Sequence, residues 1–290
     1  MTVTADIRPA ILEAPLREIV QIQLEGRMAD LEHSLLRLRI PVVADQFDSS
    51  RGRHFHLYPE LFIQVSGTSD MQFPREAIRL KPGDVVIVPR GMPHSETAKN
   101  SPGPFLNLVF AYGQRSVHYH DAVARSGGSP QVRHMGEFSA PEGGDLYRHL
   151  DEVISHYHRD RRLRSTAVRG LMLAHFACLL HGLSQPGSDA PPESFKVARC
   201  RQLVRQHLAT PELNVQWLAR QLACSADYLS HSFRKETGIT LTRFINCRRI
   251  EQAQVLLEGS AMNISEVGHA CGYRDPGYFT RIFRTITSRT

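Results

Sequence analysis

The C-terminal third of this chain contains a repeated unit, which restricts what it can fold into more than any other feature. The unit Val215-Gln-Trp-Leu218-Ala219 … Ser225 … Tyr228-Leu229-Ser-His-Ser-Phe233-Arg234 returns as Ile264-Ser-Glu-Val267-Gly268 … Tyr278-Phe279-Thr-Arg-Ile-Phe283-Arg284. A duplicated string of this kind means a duplicated supersecondary structure. Each copy predicts a short helix, a tight turn and a second helix. Asn214 and Asn263 stand where a side-chain oxygen satisfies the first unpaired amides of a helix, and small Ala219 or Gly268 lets the two helices approach. The second helix is predicted to start near Ala226 in one copy and near Asp275-Pro276 in the other, Asp suiting the cap and Pro the first turn. Between the copies, Leu241 to about Glu258 reads as one helix with Ile250, Ala253 and Leu257 on a common face. At ~1.5 Å per residue it forms a rod of roughly 27 Å.

These are helix-turn-helix units, and such a rod can hold two recognition helices about one DNA turn, ~34 Å, apart. Charge points the same way. From Phe195 onward there are 14 Lys/Arg against seven Asp/Glu, while the remainder is close to neutral. A basic third on a near-neutral chain fits a polyanion partner, although from charge alone a solvated basic face is the commoner explanation. The five cysteines, Cys178, Cys200, Cys224, Cys247 and Cys271, show no paired redox or zinc spacing and read as small core residues in a reducing compartment. No early stretch resembles a secretory leader, and Leu171 to Leu180 reads as too short to span a bilayer, so a cytoplasmic protein without a membrane partner is expected.

At 290 residues the chain is long enough for two domains. The run 182–194, rich in Gly, Ser and Pro, reads as a linker. The expected organisation is a sensing and dimerisation domain over 1–182, a linker over 183–194 and a DNA-binding domain over 195–290. In the first part Phe62–Val65, Asp84–Val88 and Phe105–Phe110 are short apolar runs bounded by Gly and Pro, which argue a β-barrel or sandwich. Leu146, Leu150, Val153, Ile154 and Tyr157 then fall at helical spacing, and a second helix is predicted from about Val168 to Leu180. Their apolar stripes are covered either by the barrel or by a second copy of the chain.

The strings Leu-Ser-His-Ser-Phe-Arg-Lys-Glu-Thr-Gly (229 to 238), Arg-Arg-Ile-Glu-Gln-Ala-Gln-Val-Leu-Leu (248 to 257) and Ile-Ser-Glu-Val-Gly-His-Ala-Cys-Gly-Tyr-Arg-Asp-Pro-Gly-Tyr-Phe-Thr-Arg-Ile-Phe-Arg (264 to 284) resemble the signature of the AraC/XylS family of transcription regulators. The resemblance implies regulation, usually activation, from a promoter site in double-stranded DNA, with RNA polymerase and a second copy of the chain as partners. The family pattern continues into a further turn and helix, whereas this sequence stops at Ser288-Arg289-Thr290, so the second unit is expected to lack that packing helix. By helical position, Asp227, Ser230 and His231 in the first unit and Gly277, Thr280 and Arg281 in the second face the groove. Arg281 is the expected base reader, and Arg234, Lys235 and Arg284 are expected on phosphates.

The first part also holds His54-Phe-His56-Leu-Tyr-Pro-Glu60, then Gly67, and later Gly83 and Pro89-Arg-Gly91-Met-Pro-His94. This resembles the two cupin motifs and retains the four metal-binding positions, His54, His56, Glu60 and His94, with Ala98 in place of the final Asn. Residues two apart on a strand share a face, so His54 and His56 are expected to look into the barrel. Three imidazoles and a carboxylate suit a divalent transition metal, while the same groups can instead line a pocket for a small organic effector. The chain before about Arg37 is expected to serve as a lid or arm, and His118 and His120 to lie on the surface. The fold class expected is therefore α+β: a cupin-like β-barrel with flanking helices, then an all-α domain with two helix-turn-helix units. The leading function is an effector-controlled, non-enzymatic transcription regulator. The alternatives are a metal-dependent cupin enzyme, such as a dioxygenase or isomerase, fused to a DNA-binding domain, and a constitutive DNA-binding dimer.

Overall fold

The computed structural model describes residues 14–47, 54–56, 58–98, 101, 103–113, 116–124, 130–139, 146–157, 161–185, 194–259 and 261–288. The chain divides into two compact units, one of Met1–Gln46 with Tyr58–Ala190, the other of Phe47–Leu57 with Pro191–Thr290. The expected linker falls largely on 186–193, outside the described residues.

In the first unit the strands are β1 (Arg37–Arg39), β2 (Glu60–Ser66), β3 (Ser69–Gln72), β4 (Ala77–Leu80), β5 (Asp84–Val88), β6 (Ser95–Thr97), β7 (Phe105–Tyr112), β8 (Ser116–Ala124) and β9 (Gln131–Ser139). They form a six-stranded sheet of order β1-β5-β2-β7-β8-β9 and a three-stranded sheet of order β4-β3-β6. The expected barrel is thus two separate sheets among the described residues, because β3, β4 and β6 pair only with one another. The central strands β5, β2 and β7 of the large sheet are buried on both faces, which is why they read as unbroken apolar runs rather than alternating ones. Leu61, Ile63, Val85, Ile87, Leu106, Leu108 and Phe110 point to one side, into a core shared with the helices. Phe62, Val86, Val88 and Val109 point to the other, against Met71, Phe73, Leu80 and Met92 of the small sheet and its turns.

Three helices cover the first face: α1 (Leu16–Glu32), α2 (Tyr147–Tyr157) and α3 (Arg161–Ser184). Two expectations change here. The segment before Arg37 contains a core helix, not an arm, since Ile19, Val20 and Leu24 of α1 are fully buried; residues 1–13 lie outside the described residues. The second apolar helix is also longer than the run to Leu180, and its stretch Thr166–Ser184 is by length and composition apolar enough to cross a membrane. In this unit it is a core helix, with Met172, Phe176 and Leu179 buried among α1, α2 and the sheet.

The second unit is helical: α4 (Phe195–Gln206), α5 (Val215–Gln221), α6 (Ala226–Thr237), α7 (Leu241–Gly259), α8 (Ile264–Ala270) and α9 (Pro276–Thr287). The caps are those read from the sequence. Trp217 donates its amide to Asn214 at 2.8 Å, Asn263 and Glu266 form a reciprocal capping box, and Pro276 opens α9 behind Asp275. Each half has its own core, Val197, Leu218, Leu229 and Phe233 in one and Val267, Cys271 and Phe279 in the other. Helix α7 contributes Leu241 and Ile245 to the first, and Ile250, Ala253 and Leu256 to the second. Leu256 takes the inward place expected of Leu257, which is exposed. All five cysteines are free thiols, Cys200 and Cys271 buried.

Candidate DNA interface and effector site

In each helix-turn-helix unit the short helix seats the second helix through one small residue. A β-carbon on Gly268 would stand 3.0 Å from the Phe279 ring, so glycine there brings α8 close against α9. With Leu229, Phe233 and Phe279 turned inward, the opposite faces of α6 and α9 are solvent-exposed. Asp227, His231, Arg234 and Lys235 are exposed on α6 with Ser230 partly so; Gly277, Arg281 and Arg284 are exposed on α9 with Thr280 partly so. Every groove-facing position expected from the sequence therefore lies on an accessible face. The Thr280 hydroxyl donates back to the Pro276 carbonyl at 2.9 Å. Tyr228 and Tyr278 were not among the expected contacts, yet both are largely exposed beside them. Their signal was the repeat itself, which places a Tyr before the inward residue in both copies.

Arg249 of α7 ties the two halves of the helical unit together. Its buried guanidinium donates to the carbonyls of Leu208 (3.1 Å) and Thr210 (2.9 Å) and lies 5.2 Å from the Tyr273 ring. Burial lowers its pKa, which remains that of a guanidinium.

The interior between the two sheets of the first unit is unusually polar. Strand pairing sets Gln64 opposite Asn107. Asn107 donates to Glu96 at 2.7 Å, the Ser69 hydroxyl donates to Gln64 at 3.0 Å, and His94 lies 3.3 Å from Glu60. Gln64, Ser69, Asn107, Glu60 and His94 are all buried. Burial raises the Glu96 pKa, and the hydrogen bond from Asn107 offsets part of that rise. Sequence reasoning found Glu60 and His94 here but missed Gln64, Ser69, Glu96 and Asn107. The His54 and His56 rings stand with centroids 5.0 Å apart, on a segment grouped with the helical unit. His118 and His120, expected on the surface, are largely covered, because they stand on the β8 face opposite Val117 and Tyr119, with β7 and β9 on either side. His118 lies 3.1 Å from Glu137.

Residues 218–290 match the family described as a helix-turn-helix domain, and residues 41–176 match the AraC-like ligand binding domain. The arabinose operon regulatory protein of Salmonella typhimurium is 34% identical over 236 residues, covering 78% of this chain and 79% of the relative. The chain belongs to the AraC family of transcriptional regulators. Two further relatives are the uncharacterized HTH-type transcriptional regulator YijO of Escherichia coli K12, 27% identical over 216 residues (73% of this chain, 72% of the relative), and the HTH-type transcriptional activator RhaR of Escherichia coli O139:H28, 22% identical over 256 residues (86% and 88%). In this AraC-family regulator the helical unit holds the DNA-binding helix-turn-helix elements. The ligand-binding match takes in β2 to β9 and α2, and with them His54, His56, Glu60 and His94.

Proposed function

We propose that this AraC-family protein is an effector-controlled activator of transcription, acting in the cytoplasm as a homodimer that contacts RNA polymerase, without catalytic activity of its own. The polar interior between the sheets carries the reading. Burying six polar side chains there costs stability that apolar residues would not, and such a cost is usual where a ligand must be recognised. The activator name of the relative RhaR supports activation as the sign.

The effector is a polar organic molecule. Carboxylate, amide, hydroxyl and imidazole groups converge there and together offer both donors and acceptors. Binding acts by population shift, so the effector must hold one state of the regulator more tightly than the other. In the helical unit Arg281 reads a base, Asp227, Ser230, His231, Gly277 and Thr280 line the groove, and Arg234, Lys235 and Arg284 meet phosphates.

Elemental analysis of untagged protein, paired with melting in a panel of polar metabolite-sized compounds, tests the effector assignment. The expected result is metal-free protein whose melting temperature a panel compound raises, with that shift lost in Asn107→Leu. Near-stoichiometric metal, lost in Glu60→Gln/His94→Ala, would replace the organic effector with a metal. Protein with neither response, occupying its operator equally in all conditions, would make it a constitutive DNA-binding dimer.

A further inference from the structure

Tyr228 and Tyr278 hold equivalent places. Each is the third residue of its recognition helix, with its amide bonded to the capping side chain, Ser225 at 3.2 Å or Asp275 at 2.6 Å. The next residue, Leu229 or Phe279, is buried, whereas the tyrosines are 51% and 40% exposed. Over each ring lies a cation. The Lys196 ammonium is 5.1 Å from the Tyr228 centroid, and the Arg281 guanidinium is 5.2 Å from that of Tyr278. The two cations have different origins. Arg281 sits one turn along the same helix, but Lys196 comes from α4, outside the repeated sequence. The arrangement is thus reached twice by different routes, and inheritance of the repeat alone does not account for the Lys196 pair.

A long cationic side chain on a surface samples many rotamers, and ordering it on DNA costs entropy. The negative face of an aromatic ring restrains it beforehand. Stacking uses the flat face of a guanidinium and leaves its in-plane N–H groups for the two acceptors of guanine in the major groove. An ammonium is a compact charge with three donors, suited to a phosphate oxygen, and beside the start of α6 it adds to the positive end of that helix.

We propose that Tyr228 and Tyr278 are positioning residues of the DNA interface, Tyr278 presenting Arg281 to a base and Tyr228 holding Lys196 against a backbone phosphate. Lys196 is then a DNA contact outside both helix-turn-helix units. The proposal rests on the reading of α6 and α9 as recognition helices.

The full chain is used to select duplexes from a randomised pool, and binding is followed by fluorescence anisotropy across salt on a selected duplex and an unrelated one of equal length. Lys196→Gln and Tyr228→Leu are each expected to flatten the plot of log K against log salt by about 0.9, the share of one phosphate, on both duplexes. The double variant should go no further than either single one, and Tyr228→Phe should keep the parental slope. Tyr278→Leu should lose preference at the same base position as Arg281→Ala, with Tyr278→Phe retaining it. Parental slope in Tyr228→Leu together with parental base preference in Tyr278→Leu overturns the proposal, as does failure of both Phe variants to rescue, which would assign the role to the hydroxyls. If the parent selects no duplex and binds neither with salt dependence, the recognition-helix reading itself fails.

Discussion

Ala223 and Gly272 occupy the same turn in the two halves of the helical unit, both in the left-handed region, at φ 48° and 80°. The residue identities differ because the surroundings do. A β-carbon at 272 would meet the Leu208 carbonyl oxygen at 2.5 Å and an Arg249 nitrogen at 2.8 Å, and a backbone oxygen held in place by Arg249 cannot easily give way. Gly272→Ala therefore combines left-handed strain with a backbone clash and is expected to destabilise the unit by about 2 kcal/mol or more. At position 223 the strain is already present, so Ala223→Gly should be neutral or stabilising by up to ~1 kcal/mol. The one tryptophan of the chain, Trp217, stands in this unit, and its fluorescence during urea unfolding reads the difference. Equal losses from both substitutions would refute the argument.

At the scale of the element, α3 carries a histidine that is buried without charge. His175 is fully buried, its Nε2 lies 2.7 Å from the Tyr112 hydroxyl, and burial, with nearby His149 adding to it, lowers its pKa to about 3. The unfolded chain takes up this proton near pH 6.5 and the folded one does not. Stability from the neutral ring is therefore complete above about 6.5 and falls as pH drops from there toward 3, with a slope of ~1.4 kcal/mol per unit. His175→Gln keeps a polar partner for Tyr112 but cannot titrate. Its stability deficit against the parent should shrink by that slope on acidification, and a deficit independent of pH would refute the assignment. The elements themselves were unevenly legible. Strands β2, β5 and β7 were plain because two buried faces give unbroken apolar runs, and the helical repeats were plain because caps and small residues recur. Helix α1 was missed although Leu16, Ile19, Val20, Gln23 and Leu24 have helical spacing, because polar residues between them made the segment resemble a free arm. Helix α3 was cut short because its first turns carry several arginines.

For the whole molecule, the exposed faces of α6 and α9 were legible in the sequence and the polar interior between the sheets largely was not. Recognition-helix residues lie close together in sequence, so a cap and a period suffice to place them. Gln64, Ser69, Glu96 and Asn107 come from four strands, and only the register joining β2 to β7 and β3 to β6 brings them to one interior. Charge was legible at the same scale, with 14 Lys/Arg against seven Asp/Glu from Phe195 onward. Because DNA binds the folded chain, it must stabilise it, by about 2.7 kcal/mol at a hundredfold excess over Kd. The part of that gain due to phosphates fades steeply with salt, while the part due to base contacts does not. An unrelated duplex should raise the Trp217 unfolding midpoint at low salt and lose that effect as salt rises, whereas a selected duplex should retain a remainder. Lys235→Gln and Arg284→Gln should each weaken the low-salt gain on both duplexes alike. Arg281→Ala should remove mainly the remainder, because a bidentate contact to guanine, worth ~1–3 kcal/mol, is the contact an unrelated sequence lacks. A gain indifferent to salt, or an Arg281→Ala loss equal on both duplexes, would show that the charge of this third is a solvated surface and that the base is read elsewhere.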